Sequence, residues 1–335
     1  MAASPADFAC WLVERDTGGR VRGAPTRLRL GDLPPGDLLV RVGFSSLNYK
    51  DGLAATGHPG VAKRLPQIPG IDAAGRVVES ADGRFKVGDR VLVSGREFGA
   101  GAWGGWSEYA RVPADWALAL PPSLSEEEAA TLGVAGLTAA LSVKRLLAQA
   151  LKPGDGEILV TGSTGGVGSL ALMILAGLGF KVVASTGKPE RAAWLAELGA
   201  SRVIDRHSLE DDSTTPLLKS AWAGVVDSVG GLTLATALRS TRTGGCVTAC
   251  GLVGGTELAL TVHPFILRGI TLCGIDSAWT PAPEREELLA LLAGPWRPAG
   301  LAKITRRVAL ADLAPEIEAI LAGRIAGRTL VGIGG

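Results

Sequence analysis

The 335-residue sequence is poor in the residue types from which metal sites and disulfide frameworks are built. It has four cysteines, at 10, 246, 250 and 273, and three histidines, at 58, 207 and 263. Those spacings match neither a Cys-x-x-Cys zinc knuckle nor a paired disulfide framework, and the histidines stand apart from one another and from the cysteines. The reading is metal-free, with Cys246 and Cys250 packed as small hydrophobes in an apolar strand. The formal charge is only +1, which leaves no electrostatic case for nucleic acid or an acidic membrane surface. Aromatics make up 5% of the residues. No run approaches the roughly 20 uninterrupted apolar residues of a spanning helix, so the apolar content is assigned to a soluble core. No basic segment leads into an apolar one at the N-terminus, and the expectation is a cytoplasmic protein.

Glycine, by contrast, is abundant at 47 residues, as tight turns and closely packed α/β layers require. It concentrates between Gly162 and Gly168. The apolar run 158–160 ends there, and a helical pattern follows with Val167, Leu170, Ile174 and Leu178 at spacings of three and four. The β-branched pair Val182 and Val183 closes the unit. Strand, tight turn, helix and strand make half of a doubly wound nucleotide-binding sheet. The glycines let the backbone approach a pyrophosphate, and N–H groups at the helix start face its charge. The Gly-x-x-Gly-x-x-Gly spacing is weak alone; its flanking elements supply the context it needs.

The second strand bears on which dinucleotide binds. An NAD-type site places Asp or Glu about 20 residues beyond the glycines, on the ribose 2′-hydroxyl. Here the strand runs into Ser185, Thr186, Gly187 and Lys188, with Arg191 beyond. No carboxylate is present to repel a 2′-phosphate, and two hydroxyls and a lysine can bind one. The expected coenzyme is NADPH.

A chain of this length suggests two domains. Residues 8–121 read as a compact β-rich domain, with β-branched runs at 38–42, 75–78 and 90–93 separated by turn chemistry at 34–37 and 86–89. Helical signals return at Ser125, which can form a capping box with Glu128. Strand and helix patterns then alternate through 224–227, 245–250 and 271–275. A helical stretch over 284–292, a strand near Ile304, a helix over 314–322 and a last strand over 329–333 complete the chain.

These residues carry a family resemblance that covers nearly the whole sequence. It rests on 45–51 (Ser-Ser-Leu-Asn-Tyr-Lys-Asp), 68–75 (Ile-Pro-Gly-Ile-Asp-Ala-Ala-Gly), 160–169, 250–255 (Cys-Gly-Leu-Val-Gly-Gly), 264–268 and 327–331 (Gly-Arg-Thr-Leu-Val). The chain resembles the medium-chain dehydrogenase/reductase superfamily in its quinone-oxidoreductase branch, and within it the bacterial NADPH-dependent acrylyl-CoA reductases. The resemblance implies an α/β protein: a Rossmann doubly wound parallel sheet plus a β-rich GroES-like catalytic domain split around it. The implied boundaries are 1–124 and 277–335 for the catalytic domain and 125–276 for the NADPH-binding domain. Zinc-dependent alcohol dehydrogenases of the superfamily carry a cysteine where this chain has Asn48. They carry Gly-His-Glu where it has Gly70, Ile71 and Asp72, and a four-cysteine lobe that it lacks. The resemblance therefore implies zinc-independent reduction of a carbon–carbon double bond, acrylyl-CoA to propionyl-CoA.

The resemblance also implies site residues. Asn48, Tyr49 and Asp51 would lie near the nicotinamide: Asn48 donating to an oxygen, Asp51 anchoring a water or ribose hydroxyl or relaying a proton, and Tyr49 acting as acid. Residues 48–51 read equally as a capped helix start, with Asn48 as N-cap and Asp51 at N3. Coenzyme contacts would come from Asn48, Ser163, Thr164, Gly165, Gly166, Val167, Thr186, Gly187, Lys188, Arg202, Leu252, Ile275, Ser277 and Arg328. Arg202 reads equally as an exposed arginine before a strand, and Arg328 as a solvated one beside the last strand. Lys63 and Arg64 are candidates for the coenzyme A phosphates. A homodimer paired along the edge strand 271–275 is implied, with no nucleic-acid or membrane partner. A quinone or enone oxidoreductase and a non-enzymatic NADPH-binding protein remain as alternatives.

Overall fold

Residues 6–333 are described by the computed structural model of the chain. They divide into two compact units. The first takes the chain up to Val134, resumes at Ala278–Ala293 and again from Leu301; the second holds Ala135–Ser277 and Gly294–Gly300.

The first unit begins with the antiparallel pair β1 (Asp7–Arg15) and β2 (Val21–Arg29). There follow β3 (Leu38–Leu47), the short helix α1 (Tyr49–Ala55), β4 (Asp72–Ser80), β5 (Arg90–Ser94), β6 (Tyr109–Val112) and β7 (Ala117–Ala119). Phe8, Leu38, Leu39 and Trp106 are wholly buried in its core, each contributing about 1.5–3 kcal/mol relative to an exposed side chain. The Trp11 and Trp106 rings meet edge to face at 6.4 Å.

Helix α2 (Glu126–Leu147) starts at the capping box read from the sequence: the Glu128 N–H donates to Ser125 Oγ at 3.1 Å, and the Ser125 N–H donates to a Glu128 carboxylate oxygen at 3.0 Å. The sequence reading found no run suited to a membrane, yet this one helix is long and apolar enough to cross one by length and composition. Its Leu132, Leu137, Leu141 and Leu146 are buried in the protein itself. The helix is broken at Gly133, whose φ of 46° and ψ of −149° are not helical. A Cβ there would collide with the Asp72 carboxylate, so only glycine fits.

The second unit is built from β8 (Glu157–Val160), α3 (Gly166–Gly177), β9 (Lys181–Thr186), α4 (Ala192–Glu197) and β10 (Ala200–Asp205). It continues with β11 (Trp222–Asp227), α5 (Gly231–Ser240), β12 (Thr241–Ala249), α6 (His263–Arg268) and β13 (Thr271–Gly274). Its six strands are all parallel, in the order β10-β9-β8-β11-β12-β13. Ile158, Leu159, Val160, Val182, Val183 and Ala184 are wholly buried, as strands covered on both faces must be. The order reverses between β8 and β11, so the glycine turn after β8 opens at the topological switch point where such sheets bind ligands.

The chain then returns to the first unit with α7 (Ala282–Ala293), β14 (Thr305–Ala309), α8 (Leu313–Leu321) and β15 (Arg328–Gly332). Strand β15 pairs antiparallel with β3, and the sheet runs β14-β15-β3-β4-β5-β7, with β6 also on β3. The β-rich domain is thus split around the Rossmann sheet.

Candidate active site

A buried polar network in the first unit gathers residues from β3, α1, β4, β5 and β15 around the Asp72 carboxylate. Asp72 Oδ2 accepts from Ser46 Oγ at 2.6 Å and from Asn48 Nδ2 at 3.0 Å, and Oδ1 accepts from Ser94 Oγ at 2.6 Å. The Val134 N–H, freed by the break in α2, donates to Oδ1 at 2.7 Å. Arg328 Nη2 lies 3.8 Å from Oδ2. Sequence reasoning used Asp72 only as a departure from a zinc motif and missed it as the hub. Its signal was present, since an aspartate opening an otherwise apolar strand has to find donors if it is buried.

The network corrects three expectations. Asn48 is not a free donor. Its Nδ2 faces Ser46, Asp51 and Asp72, and its Oδ1 accepts from Arg328 Nη1 at 2.9 Å. Two carboxylates on one side and a guanidinium on the other leave no choice of amide orientation. Asp51 is wholly buried and accepts four N–H donors, from Asn48 N and Nδ2 and from the Gly70 and Ile71 backbone. It fastens α1 to the segment before β4, which is the capped helix start with an added tie, and all four of these partners belong to the protein itself. Arg328 is neither solvated nor turned outward. It is 3% exposed, and its Nε donates to the Thr131 carbonyl at 2.7 Å. Burial lowers its pKa, while Asp72 and then Asp51 support its charge.

Tyr49 stands apart. As the first residue of α1 it shares the segment with Asn48 and Asp51, yet it is 41% exposed. Its hydroxyl has no hydrogen-bond partner among the described residues. With the neighbouring Lys50, it is one of the two exposed polar side chains of this segment.

The sheet of the second unit brings most of the expected coenzyme residues to one edge, the carboxyl ends of its parallel strands. Ser163, Thr164, Gly165, Gly166 and Val167 follow β8; Thr186, Gly187 and Lys188 close β9; Leu252 follows β12; Ile275 and Ser277 follow β13. Gly165 occupies the N-cap of α3 with no side chain, so the first-turn N–H groups stay uncapped. A Cβ on Gly168 would collide with the Gly162 carbonyl, which is the close approach the motif demands. Thr164 and Thr186 hydroxyls lie 3.4 Å apart, and the Lys188 N–H donates to Thr186 Oγ1 at 3.0 Å. Burial lowers the Lys188 pKa. Ser277 Oγ is 2.6 Å from Thr138 Oγ1, and Leu252 is 62% exposed. This uncapped, side-chain-free cradle fits a dinucleotide pyrophosphate.

Arg202 does not belong to that edge. It pairs with Val183 in register, three residues back from Thr186, and donates to Glu157 at 2.8 Å while lying 5.9 Å over the Trp222 ring. The arginine that does lie there is Arg206, just past β10. A Cβ on Gly187 would meet its Cδ at 2.8 Å and its Nε at 3.0 Å. Sequence reasoning missed Arg206 because the register of β10 against β9, which carries the end of β10 to Thr186, is not written in spacing.

A dinucleotide cradle at a switch point, with a polar cluster in a split β domain, defines a nucleotide-dependent oxidoreductase. Comparisons agree. Residues 34–122 match the model of the alcohol dehydrogenase GroES-like domain, and residues 166–294 that of zinc-binding dehydrogenase. The chain is 46% identical over 301 residues to YhfP of Bacillus subtilis, named as a quinone oxidoreductase, covering 90% of this chain and 91% of that one. It is 42% identical over 327 residues to the acrylyl-CoA reductase AcuI of Ruegeria pomeroyi, covering 97% and 99%. The YhdH oxidoreductase of Salmonella enterica, solved in complex with NADP, superimposes with a TM-score of 0.94 at 42% identity over 97% of this chain and 100% of that one. YhfP solved with NAD bound gives 0.95 at 43%, over 98% and 100%. The chain belongs to the medium-chain dehydrogenase/reductase superfamily, among relatives named as acrylyl-CoA reductases and quinone oxidoreductases.

The metal in one family's description does not fit these residues. Both Asp72 oxygens are taken by hydroxyl and N–H donors, and the Arg328 guanidinium already supplies the neighbouring positive charge. Among the described residues no three His, Cys, Asp or Glu side chains group to hold an ion.

Proposed function

We propose that the protein is an NADPH-dependent reductase of the carbon–carbon double bond of an α,β-unsaturated acyl thioester, with acrylyl-CoA as substrate and propionyl-CoA as product. The observation that carries this reading is Tyr49, an exposed phenol on a helix start locked from beneath by the Asn48, Asp51, Asp72 and Arg328 network. Tyr49 gives such a site an accessible proton donor, and its phenol is a weaker acid than the neighbouring carboxyls, which are buried. The dinucleotide would lie on the cradle of Ser163 to Val167, with its 2′-phosphate met by Thr186, Lys188 and Arg206, and when bound it supplies hydride to the β-carbon. Tyr49 donates to the thioester oxygen, which carries the charge that hydride addition creates, and its proton passes to the α-carbon and is replaced from water. The buried network does no chemistry itself; it keeps Tyr49 in place.

Similarity to YhfP favours a second reading, reduction of a quinone or free enone by the same residues. NADPH oxidation against acrylyl-CoA, crotonyl-CoA, a small quinone and an alkenal separates the two. Turnover of acrylyl-CoA well above the quinone is the expected result; turnover of quinones with none of acrylyl-CoA would refute the first reading.

A homodimer through the second unit is proposed on two features. Strand β13 is one of the two edges of its sheet, and Val262, Ile266 and Leu267, just before it in the chain, are more than 60% exposed. Pairing with a second copy covers both. Sedimentation at micromolar concentration should give a dimer, and Ile266→Asp a monomer.

A further inference from the structure

Arg96 and Trp279, both in the first unit, form a cationic feature that the reaction above leaves unused. Arg96 is not a glycine, yet its φ is 56°, a left-handed conformation uncommon for L residues. Its N–H donates to the Ala278 carbonyl at 3.1 Å, tying the turn after β5 to the segment that carries Trp279. The guanidinium carbon then lies 5.7 Å from the Trp279 ring centre, within cation–π range, and that ring is 55% exposed. Backbone strain is spent here on holding a guanidinium over an open aromatic ring.

The charge of Arg96 is unanswered. It has no carboxylate partner among the described residues, and the adjacent Glu97 is turned to Lys63 at 3.5 Å. Nearby, Arg285 of α7 is wholly buried. Its Nη2 donates to the Ser94 carbonyl, while its Nε and Nη1 meet no acceptor. Burial, and after it the Arg96 charge, pull Arg285 down to about 10, against the opposing pull of Asp72. Two neighbouring guanidiniums with no ion pair to either favour the arrival of an anion.

The same turn also reaches the buried polar network around Asp72. Ser94, whose carbonyl holds Arg285, donates its Oγ to Asp72, and Asp72 in turn holds Asn48 beside Tyr49. A substrate with a reacting thioester at one end and phosphates at the other suits this layout. We infer that Arg96, braced on Trp279, binds a phosphate of the acyl-CoA substrate; the inference rests on the thioester reading above and deepens it. Arginine suits this task because its planar fork meets phosphate oxygens in pairs. Of the two candidates from sequence, Lys63 and Arg64, Lys63 is already committed to Glu97.

The test uses Arg96→Gly, since glycine accepts a φ near that of Arg96 without strain and keeps the turn intact, with Arg96→Lys as the charge-retaining partner. Coenzyme A binding to the NADP⁺-saturated protein is measured by calorimetry, beside KM for acrylyl-CoA and for acrylyl-pantetheine, which has no phosphate. Arg96→Gly should weaken coenzyme A binding and raise KM for acrylyl-CoA by about tenfold, the scale of one charge-assisted contact. KM for acrylyl-pantetheine should move by less than about twofold, and Arg96→Lys should fall between. If acrylyl-CoA is not reduced at all but coenzyme A binding still depends on Arg96, the phosphate site stands and the reductase reading fails. If acrylyl-CoA is reduced and Arg96→Gly changes neither binding nor KM, or if the unaltered protein does not bind coenzyme A, the phosphate site is overturned.

Discussion

Asn48 Oδ1 accepts a hydrogen bond from Arg328 Nη1 at 2.9 Å, joining two residues 280 positions apart in the chain. That one contact ties the start of α1 to the last strand and turns the Asn48 amide nitrogen toward Asp51 and Asp72. The asparagine is therefore part of the buried network at the start of α1, while the next residue, Tyr49, is exposed.

Asn48→Ala should lower stability as well as activity. It strips a partner from buried Arg328 and from Asp72, at about 1–3 kcal/mol for each polar group left unsatisfied. The denaturant midpoint should drop, and kcat should fall because Tyr49 loses its support. A loss of kcat with an unchanged midpoint would instead put Asn48 on the substrate.

Tyr49→Phe should do the opposite. Its hydroxyl has no partner to lose, so melting should be unchanged, while kcat falls by about 10²-fold or more, the usual scale for a positioned proton donor. Turnover equal to that of the unaltered protein would remove Tyr49 from the mechanism.

Asp51 should leave a mark on the pH dependence of stability. Burial, and then the Asp72 charge, push it up to about 7, with the N–H and amide donors of Asn48 and the Ile71 N–H pulling it back. A carboxyl whose pKa is raised on folding holds a proton that the unfolded chain has released. Its contribution is fully present below about pH 4 and is lost as pH rises through about 7. Midpoints measured from about pH 5 to pH 8 should decline more steeply for the unaltered protein than for Asp51→Asn. Parallel curves would mean that the four N–H donors keep Asp51 ionised throughout.

The coenzyme preference should depend on Lys188 and Arg206. Replacing either by Ala should raise KM for NADPH by about tenfold, since a charge-assisted contact is worth roughly 1.5–3 kcal/mol, and should hardly affect NADH. Arg202→Ala should leave both unchanged, because that guanidinium is spent on Glu157 and Trp222. Equal losses for both coenzymes in Lys188→Ala and Arg206→Ala would undo the 2′-phosphate assignment.

The sequence by itself determined whatever depends on neighbours in the chain. The strand, glycine turn and helix of 158–178 follow from apolar period and from glycines placed where backbone must come close, and so does the missing acid after β9. The capping boxes at Ser125 and Asn48 are local for the same reason: their partners lie three residues on. Only the tertiary structure decided which way the polar side chains were spent. Asn48, an apparent donor by position, spends its Nδ2 on Ser46, Asp51 and Asp72 and its Oδ1 on Arg328 from the far end of the chain, and Asp72 becomes the hub because three separate segments send it four donors. Arg202 and Arg206 differ by four positions in the sequence, and strand register alone sets one against Glu157 and the other over Gly187. Burial acts in the same way, since the cost of leaving a buried charge unpaired is settled by whatever the fold brings beside it.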